Sequence, residues 1–93
     1  MTDLKQSMRP HPQVVDTELD GQETVLLHLE SKLYFSLNPT GTRIWQGLKR
    51  GLSPATISRE LQTEFTVAPE AAEQSVMELI GELAQHRLLE RAD

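Results

Sequence analysis

Residues 33–45, LYFSLNPTGTRIW, carry a strand straight into a capped helix with no linker between them. Leu33, Phe35 and Leu37 alternate with Tyr34 and Ser36, the two-residue period of a half-buried strand. Asn38 then offers a side-chain oxygen to the free N–H groups at the start of a helix, and the ring of Pro39 already holds helical φ. Segments before this junction read as short strands and segments after it as helices, so it joins a small sheet to a helical layer.

Working back from the junction, residues 23–29 form a second strand with Val25, Leu27 and Leu29 on one face and Leu26, His28 and Glu30 on the other. If Val25, Leu27 and Leu29 share a face with Leu33, Phe35 and Leu37, the connecting loop holds an odd number of residues, and Glu30-Ser31-Lys32 supplies three. A further strand fits residues 13–19, closed by the turn dipeptide Asp20-Gly21. A two-residue turn there would set Val15 and Leu19 on the face of Leu26 and Tyr34, leaving the sheet apolar on both sides, and the sequence leaves that open. An apolar second face seeks a cover, either a partner chain or the N-terminal arm. Residues 1–12 are polar, and Arg9-Pro10-His11-Pro12 forces an extended path, so they read as a flexible arm preceding a domain over residues 13–93.

Working forward, Ile44, Trp45 and Leu48 make the buried stripe of a helix from Pro39 to about Arg50, with Gly51 as its stop. Ser53-Pro54 repeats the cap-then-proline start, and Ile57, Leu61 and Phe65 mark the buried line of a second helix. A third begins near Pro69, carries Glu70 and Glu73 at its positive end and runs to about His86, with Ala72, Val76, Leu79 and Leu83 as its core face. Leu88 and Leu89 then tuck the end back. Three strands followed by three helices predict an α+β domain, a small antiparallel sheet and a helical layer in a winged-helix-like arrangement.

Ninety-three residues suit one domain with little area to spare for a deep catalytic cleft. There is no cysteine, so disulfides, thiolate nucleophiles and cysteine-based zinc sites are excluded. No run approaches the roughly 18 apolar residues of a membrane span, and residues 1–12 lack the apolar core of a secretory signal, so a cytoplasmic location away from any membrane is expected. His11, His28 and His86 match no metal spacing and read as an arm residue, a solvent-face strand residue and a helix C-terminal charge. No phosphate-binding loop, nucleophile elbow or zinc-protease motif occurs, and Glu70 and Glu73 read as helix-dipole partners. The expectation is a protein without catalytic residues, metal or cofactor.

A DNA-binding winged helix, dimeric or not, is the alternative in another class. Such a domain often lays its last helix in the major groove, where phosphates demand positive charge. Over residues 69–88 Glu70, Glu73, Glu78 and Glu82 face Arg87 alone, while Arg43, Lys49, Arg50 and Arg59 lie on the first two helices. That sign argues against nucleic acid as a partner. In a three-strand meander, by contrast, the strand at residues 33–37 is an edge, and an unpaired edge invites a strand from another chain. The last helix can lie beside it, offering Met77, Ile80, Gly81 and Ala84 as a small, soft wall. Backbone pairing is worth roughly 0.5–1.5 kcal/mol net per bond and ordering a peptide costs about 1–2 kcal/mol per residue, so side-chain anchors must supply affinity. Their expected pocket lies between Tyr34, Phe35, Met77 and Ile80.

Residues 23–90 resemble the PqqD family of small domains that recognise precursor peptides. The resemblance rests on Tyr34-Phe35-Ser36-Leu37-Asn38, the Thr40-Gly41 helix start with Ile44-Trp45, the Gly51/Ser53 break, Phe65-Thr66-Val67, and the closing Leu83, Leu88, Leu89 and Glu90. It implies a winged-helix-like domain that binds the leader segment of a ribosomally made precursor peptide as an added strand. The domain then presents the precursor to a modifying enzyme: a radical S-adenosylmethionine protein in pyrroloquinoline quinone biosynthesis, or a leader peptidase or cyclase in lasso-peptide pathways. Carried onto this chain, the peptide-binding residues are Leu33, Tyr34, Phe35, Ser36 and Leu37 with Met77, Ile80, Gly81 and Ala84. The acidic last helix favours a neutral or basic leader. A homodimer formed through the sheet or the arm is compatible with this role.

Overall fold

The computed structural model describes residues 8–20 and 22–91. Four strands, β1 (Met8–Pro10), β2 (Val14–Leu19), β3 (Glu23–His28) and β4 (Tyr34–Leu37), precede three helices, α1 (Pro39–Lys49), α2 (Pro54–Phe65) and α3 (Pro69–Gln85), and a short β5 (Leu89–Arg91) closes the order. Strands β2, β3 and β4 form one antiparallel sheet in that order, and β1 pairs with β5 in a separate ribbon. The α+β architecture with a three-stranded sheet ahead of three helices is therefore the one the sequence predicts. No helix among the described residues is long and apolar enough to cross a membrane.

Local chemistry explains the helix ends. Asn38 Oδ1 accepts from the Gly41 N–H at 2.7 Å and Ser53 Oγ from that of Thr56 at 3.2 Å, each with proline at the first helical position. Helix α1 ends with Gly51 at φ 79°, its N–H on the Leu48 carbonyl and the Leu52 N–H on that of Gly47. Helix α3 ends in the same motif with Arg87 at φ 59°: the Arg87 N–H reaches Ala84 and the Leu88 N–H reaches Leu83. The second closure folds Leu88 onto Leu83, both fully buried, and aims the chain into β5.

Two features of the strands differ from the sequence reading. Residues 8–10, expected within a flexible arm, form β1: Met8 is buried in the core, and an Arg9–Glu90 ion pair at 2.8 Å spans the ribbon. Residues 1–7 of that arm lie outside the described residues. The second difference is parity. The His28 N–H donates to the Leu33 carbonyl and the Lys32 N–H to the His28 carbonyl, so four residues, 29–32, separate β3 from the start of the β4 ladder. An even loop reverses the expected faces. Thr24, Leu26 and His28 point to the helices with Leu33, Phe35 and Leu37, whereas Val25, Leu27 and Leu29 share the outer face with Tyr34. The turn is shaped by His28 itself, whose Nδ1 accepts from the N–H groups of Glu30 and Ser31, and by Lys32 at φ 65°. His28 is thus buried rather than solvent-facing, 4.9 Å from the ring of His11. Gly21 of the Asp20-Gly21 turn lies outside the described residues, but Leu19 opposite Glu23 leaves three positions between β2 and β3. That register places Val15 and Leu19 on the outer face, 46% and 47% exposed.

Strand β2 is consequently tied to the helices by polar groups. Asp16 Oδ2 accepts from Trp45 Nε1 at 3.0 Å and from Lys49 Nζ at 2.7 Å, both on α1. Burial works against the Asp16 charge, but hydrogen bonds from Lys49 and Trp45 and the attraction of Lys49 outweigh it and hold the carboxyl below its ordinary value. A depressed carboxyl contributes stability that is present above its unfolded value, about 3.9, and is lost as pH falls through the folded value. Asp16→Asn should therefore cost about 1–2 kcal/mol at neutral pH and flatten the acid limb of the stability curve, which urea melts between about pH 2 and pH 7 would reveal. Helices α1 and α2 meet where Gly47 touches Ile57: a Cβ on Gly47 would lie 2.7 Å from Ile57 Cγ1. Gly47→Ala is accordingly expected to lower stability by on the order of 1–3 kcal/mol, seen as a drop of several degrees in Tm.

Candidate functional site

Among the described strands β4 pairs with β3 alone, so one of its sides is free. The His28 to Leu33 bond fixes which groups that side presents. Paired residues in an antiparallel ladder alternate between exchanging hydrogen bonds and turning them away. Leu33, Phe35 and Leu37 therefore direct their backbone groups to β3, and the N–H and C=O of Tyr34 and Ser36 point outward. An extended segment laid along β4 would meet four ready backbone groups.

Side chains on this strand divide by face. Tyr34, 69% exposed, and Ser36 stand on the outer face, while half-buried Leu33 and Phe35 and buried Leu37 face the helices. The Phe35 ring reaches His86, the C-cap of α3, with centroids 5.9 Å apart, and so bridges β4 to the end of α3. Beyond Leu37 an open cavity of about 310 Å³ separates the β4–α1 junction from α3. Asn38, Thr40, Gly41 and Ile44 line one side of it, and Ser75, Glu78, Leu79 and Glu82 the other. A larger cavity of about 480 Å³, walled by Glu18, Glu23, Thr42, Arg43 and Glu64, lies between the β2–β3 end and the first two helices, away from the outward groups of β4.

The nine residues singled out in the sequence separate into two groups. Leu33, Tyr34, Phe35, Ser36 and Leu37 are brought together at the free edge, whereas the four helical residues lie off the cavity. Ile80 is wholly buried in the core. Met77 and Ala84 are half-buried and Gly81 is exposed. At about 100° per residue these three sit roughly 140–160° around α3 from Leu79. A Cβ added to Gly81 would meet nothing within 4 Å, so no close backbone approach accounts for that glycine. The physical reason is helical phase: Ile80, not Leu79, completes the buried line with Ala72, Val76 and Leu83, which turns Leu79 toward the cavity. An anchor pocket between Tyr34, Phe35, Met77 and Ile80 does not form, because Tyr34 and Phe35 point to opposite faces and Ile80 is enclosed. The helical side of the cavity is lined instead by Ser75, Glu78, Leu79 and Glu82, whose spacing of three and four residues was available in the sequence.

A sequence model of the family described as coenzyme PQQ synthesis protein D matches residues 23–89. Two solved structures are similar to this chain along most of its length. TbiB1 in complex with the TbiA(beta) leader peptide is 34% identical with a TM-score of 0.83, over 88% of this chain and 94% of that one. Lasso peptide synthetase B1 complexed with the leader peptide is 30% identical with a TM-score of 0.82, over 90% and 98%. No curated protein sequence matches.

Proposed function

The chain belongs to the PqqD family, and from that premise we propose that it binds the leader segment of a ribosomally made precursor peptide as a strand added to β4. It thereby presents the precursor to a modifying enzyme, a radical S-adenosylmethionine protein or a leader peptidase, and performs no chemistry of its own. The observation that carries this reading is the outward backbone of Tyr34 and Ser36 beside an open cavity, in a chain similar to two proteins solved with leader peptides.

The forces divide between backbone and side chains. Four outward groups allow up to four ladder bonds, at roughly 0.5–1.5 kcal/mol net each, against about 1–2 kcal/mol for each leader residue ordered. The ladder sets register and direction while contributing little net affinity. Affinity comes from apolar leader side chains entering the space between Phe35 and Leu33 on the strand and Leu79 on α3, all three half-buried and so still able to lose area to a ligand. Three such anchors, each near the top of a range of about 1.5–3 kcal/mol, supply the roughly 8 kcal/mol of a micromolar complex when preorganisation of the site spares most of the association entropy.

Amide shifts and hydrogen exchange in labelled protein titrated with the TbiA(beta) leader, and with precursor peptides captured by co-expression, test the site. Tyr34 and Ser36 amides should become protected, and signals from Ser75 to Glu82 should move with them; changes confined to α1 and α2 would overturn the proposal. Leu79→Glu is expected to weaken binding tenfold or more while circular dichroism stays native, because the side chain is only half-buried. Ile80→Asp should instead unfold the domain, since it puts a charge at a position with no exposure.

A further inference from the structure

The acidic residues of α3 fall into two pairs with different explanations. Glu70 and Glu73 stand in the first two turns, where the positive end of the helix dipole favours them. Glu78 and Glu82 have no such reason. They lie one turn apart on the same face, where like charges repel, and Glu82 falls in the last turn, at the negative end of the dipole and with no basic residue beside it in that turn. Neither carboxylate takes part in an ion pair or hydrogen bond with any described residue. Both line the cavity that continues the free edge of β4, and they are the charged groups of its lining.

Both carboxylates are exposed to water, and their repulsion, about 0.2–0.5 kcal/mol, favours a cation brought to them by a chain on the vacant strand edge. We infer that Glu78 and Glu82 select leader segments carrying a lysine or arginine, whose charged end enters the cavity between α3 and the β4–α1 junction. The inference rests on strand addition at β4 and specifies what the added strand must carry. The cavity suits that side chain: Ile44 and Leu79 offer apolar surface to its methylene stem, and Ser75, Thr40 and Asn38 offer oxygens beside the two carboxylates. Placing the cation there also relieves the repulsion between Glu78 and Glu82, so it acts on both partners of the pair.

A library of random twelve-residue peptides displayed on phage, panned against the wild-type domain and two double variants, tests this without knowledge of the natural precursor. Binders are kept that protect the Tyr34 and Ser36 amides. Wild-type binders should be enriched in lysine or arginine at one position, and replacing that residue by alanine should weaken binding about fivefold to tenfold. In E78Q/E82Q the same replacement should have no effect, and E78K/E82K should select aspartate or glutamate at that position. Edge binders without a basic preference, or with an alanine penalty that persists in E78Q/E82Q, would overturn the inference and leave strand addition standing. Absence of any peptide that protects Tyr34 and Ser36 would overturn strand addition, and this inference with it. Folding does not confound the readout, because removing two repelling, exposed carboxylates should leave Tm unchanged or raise it.

Discussion

One cross-strand rung, Asp16–Leu26–Phe35, sets the position of nearly everything else. Leu26 in the central strand has no exposure, so its side chain can point only toward the helices, and its two ladder neighbours must point the same way. On one side Asp16 is thereby delivered to Trp45 and Lys49, which bind β2 to α1. On the other side Phe35 is delivered to His86 at the end of α3. A slip of one residue would bury Val25 in place of Leu26, expose Phe35 and leave the Trp45 indole without its acceptor. The register that holds the sheet to the helices is also the register that turns the backbone of Tyr34 and Ser36 outward.

The two edges of this sheet are treated differently. The face that β2 turns to the helices carries Asp16 and Glu18, and these inward charges are met by Lys49, Trp45 and Gln46. Inward charge on an edge strand is one of the ways proteins discourage an unwanted neighbour, since a flat, apolar partner cannot satisfy it. Strand β4 has no charge at all: Tyr34, Phe35, Ser36 and Leu37 leave its margin chemically bare. Its shortness limits accidental pairing, and the cavity beyond Leu37 gives an added chain somewhere to continue. An edge that is unguarded on one side only, beside a helix that packs elsewhere, is a specific vacancy rather than a general liability.

Much of this was legible in the sequence, and the parts that were not have identifiable causes. Asn38-Pro39 and Ser53-Pro54 specified two helix starts because a side-chain oxygen followed by proline has few other uses. The loop at residues 29–32 was misread because Val25, Leu27 and Leu29 look more apolar than Thr24, Leu26 and His28. The choice was made by His28 capping its own turn, an interaction that periodicity does not register. Helix α3 carries apolar residues at 76, 77, 79, 80, 83 and 84, a stripe wide enough for two phases, and only packing against α2 and β5 decided between Leu79 and Ile80. Three-residue strands have no period to read, so β1 and β5 had no signal beyond Met8 as a core residue awaiting a partner. The place of β4 at the sheet's edge was legible because it depends on strand order, whereas the phase of α3 depended on an angle.

That contrast bears on the proposed recognition of a leader peptide. Backbone groups along β4 would pair with an extended segment whatever its side chains, and their net contribution, after the entropy of ordering the segment, is close to zero. On the proposed reading discrimination therefore cannot reside in the strand's backbone and must come from side chains, those of Leu33 and Phe35 and those on the surface across from them. Across the cavity from the β4–α1 junction stands the row Ser75, Glu78, Leu79 and Glu82, on a helix whose other flank is committed to the core through Val76, Ile80 and Leu83. Substitutions along this outer row leave the packing that positions it undisturbed, because its side chains are exposed or half-buried. Free backbone on the strand and free side chains on the helix follow alike from placing an unsatisfied sheet edge beside a helix buried on one side only.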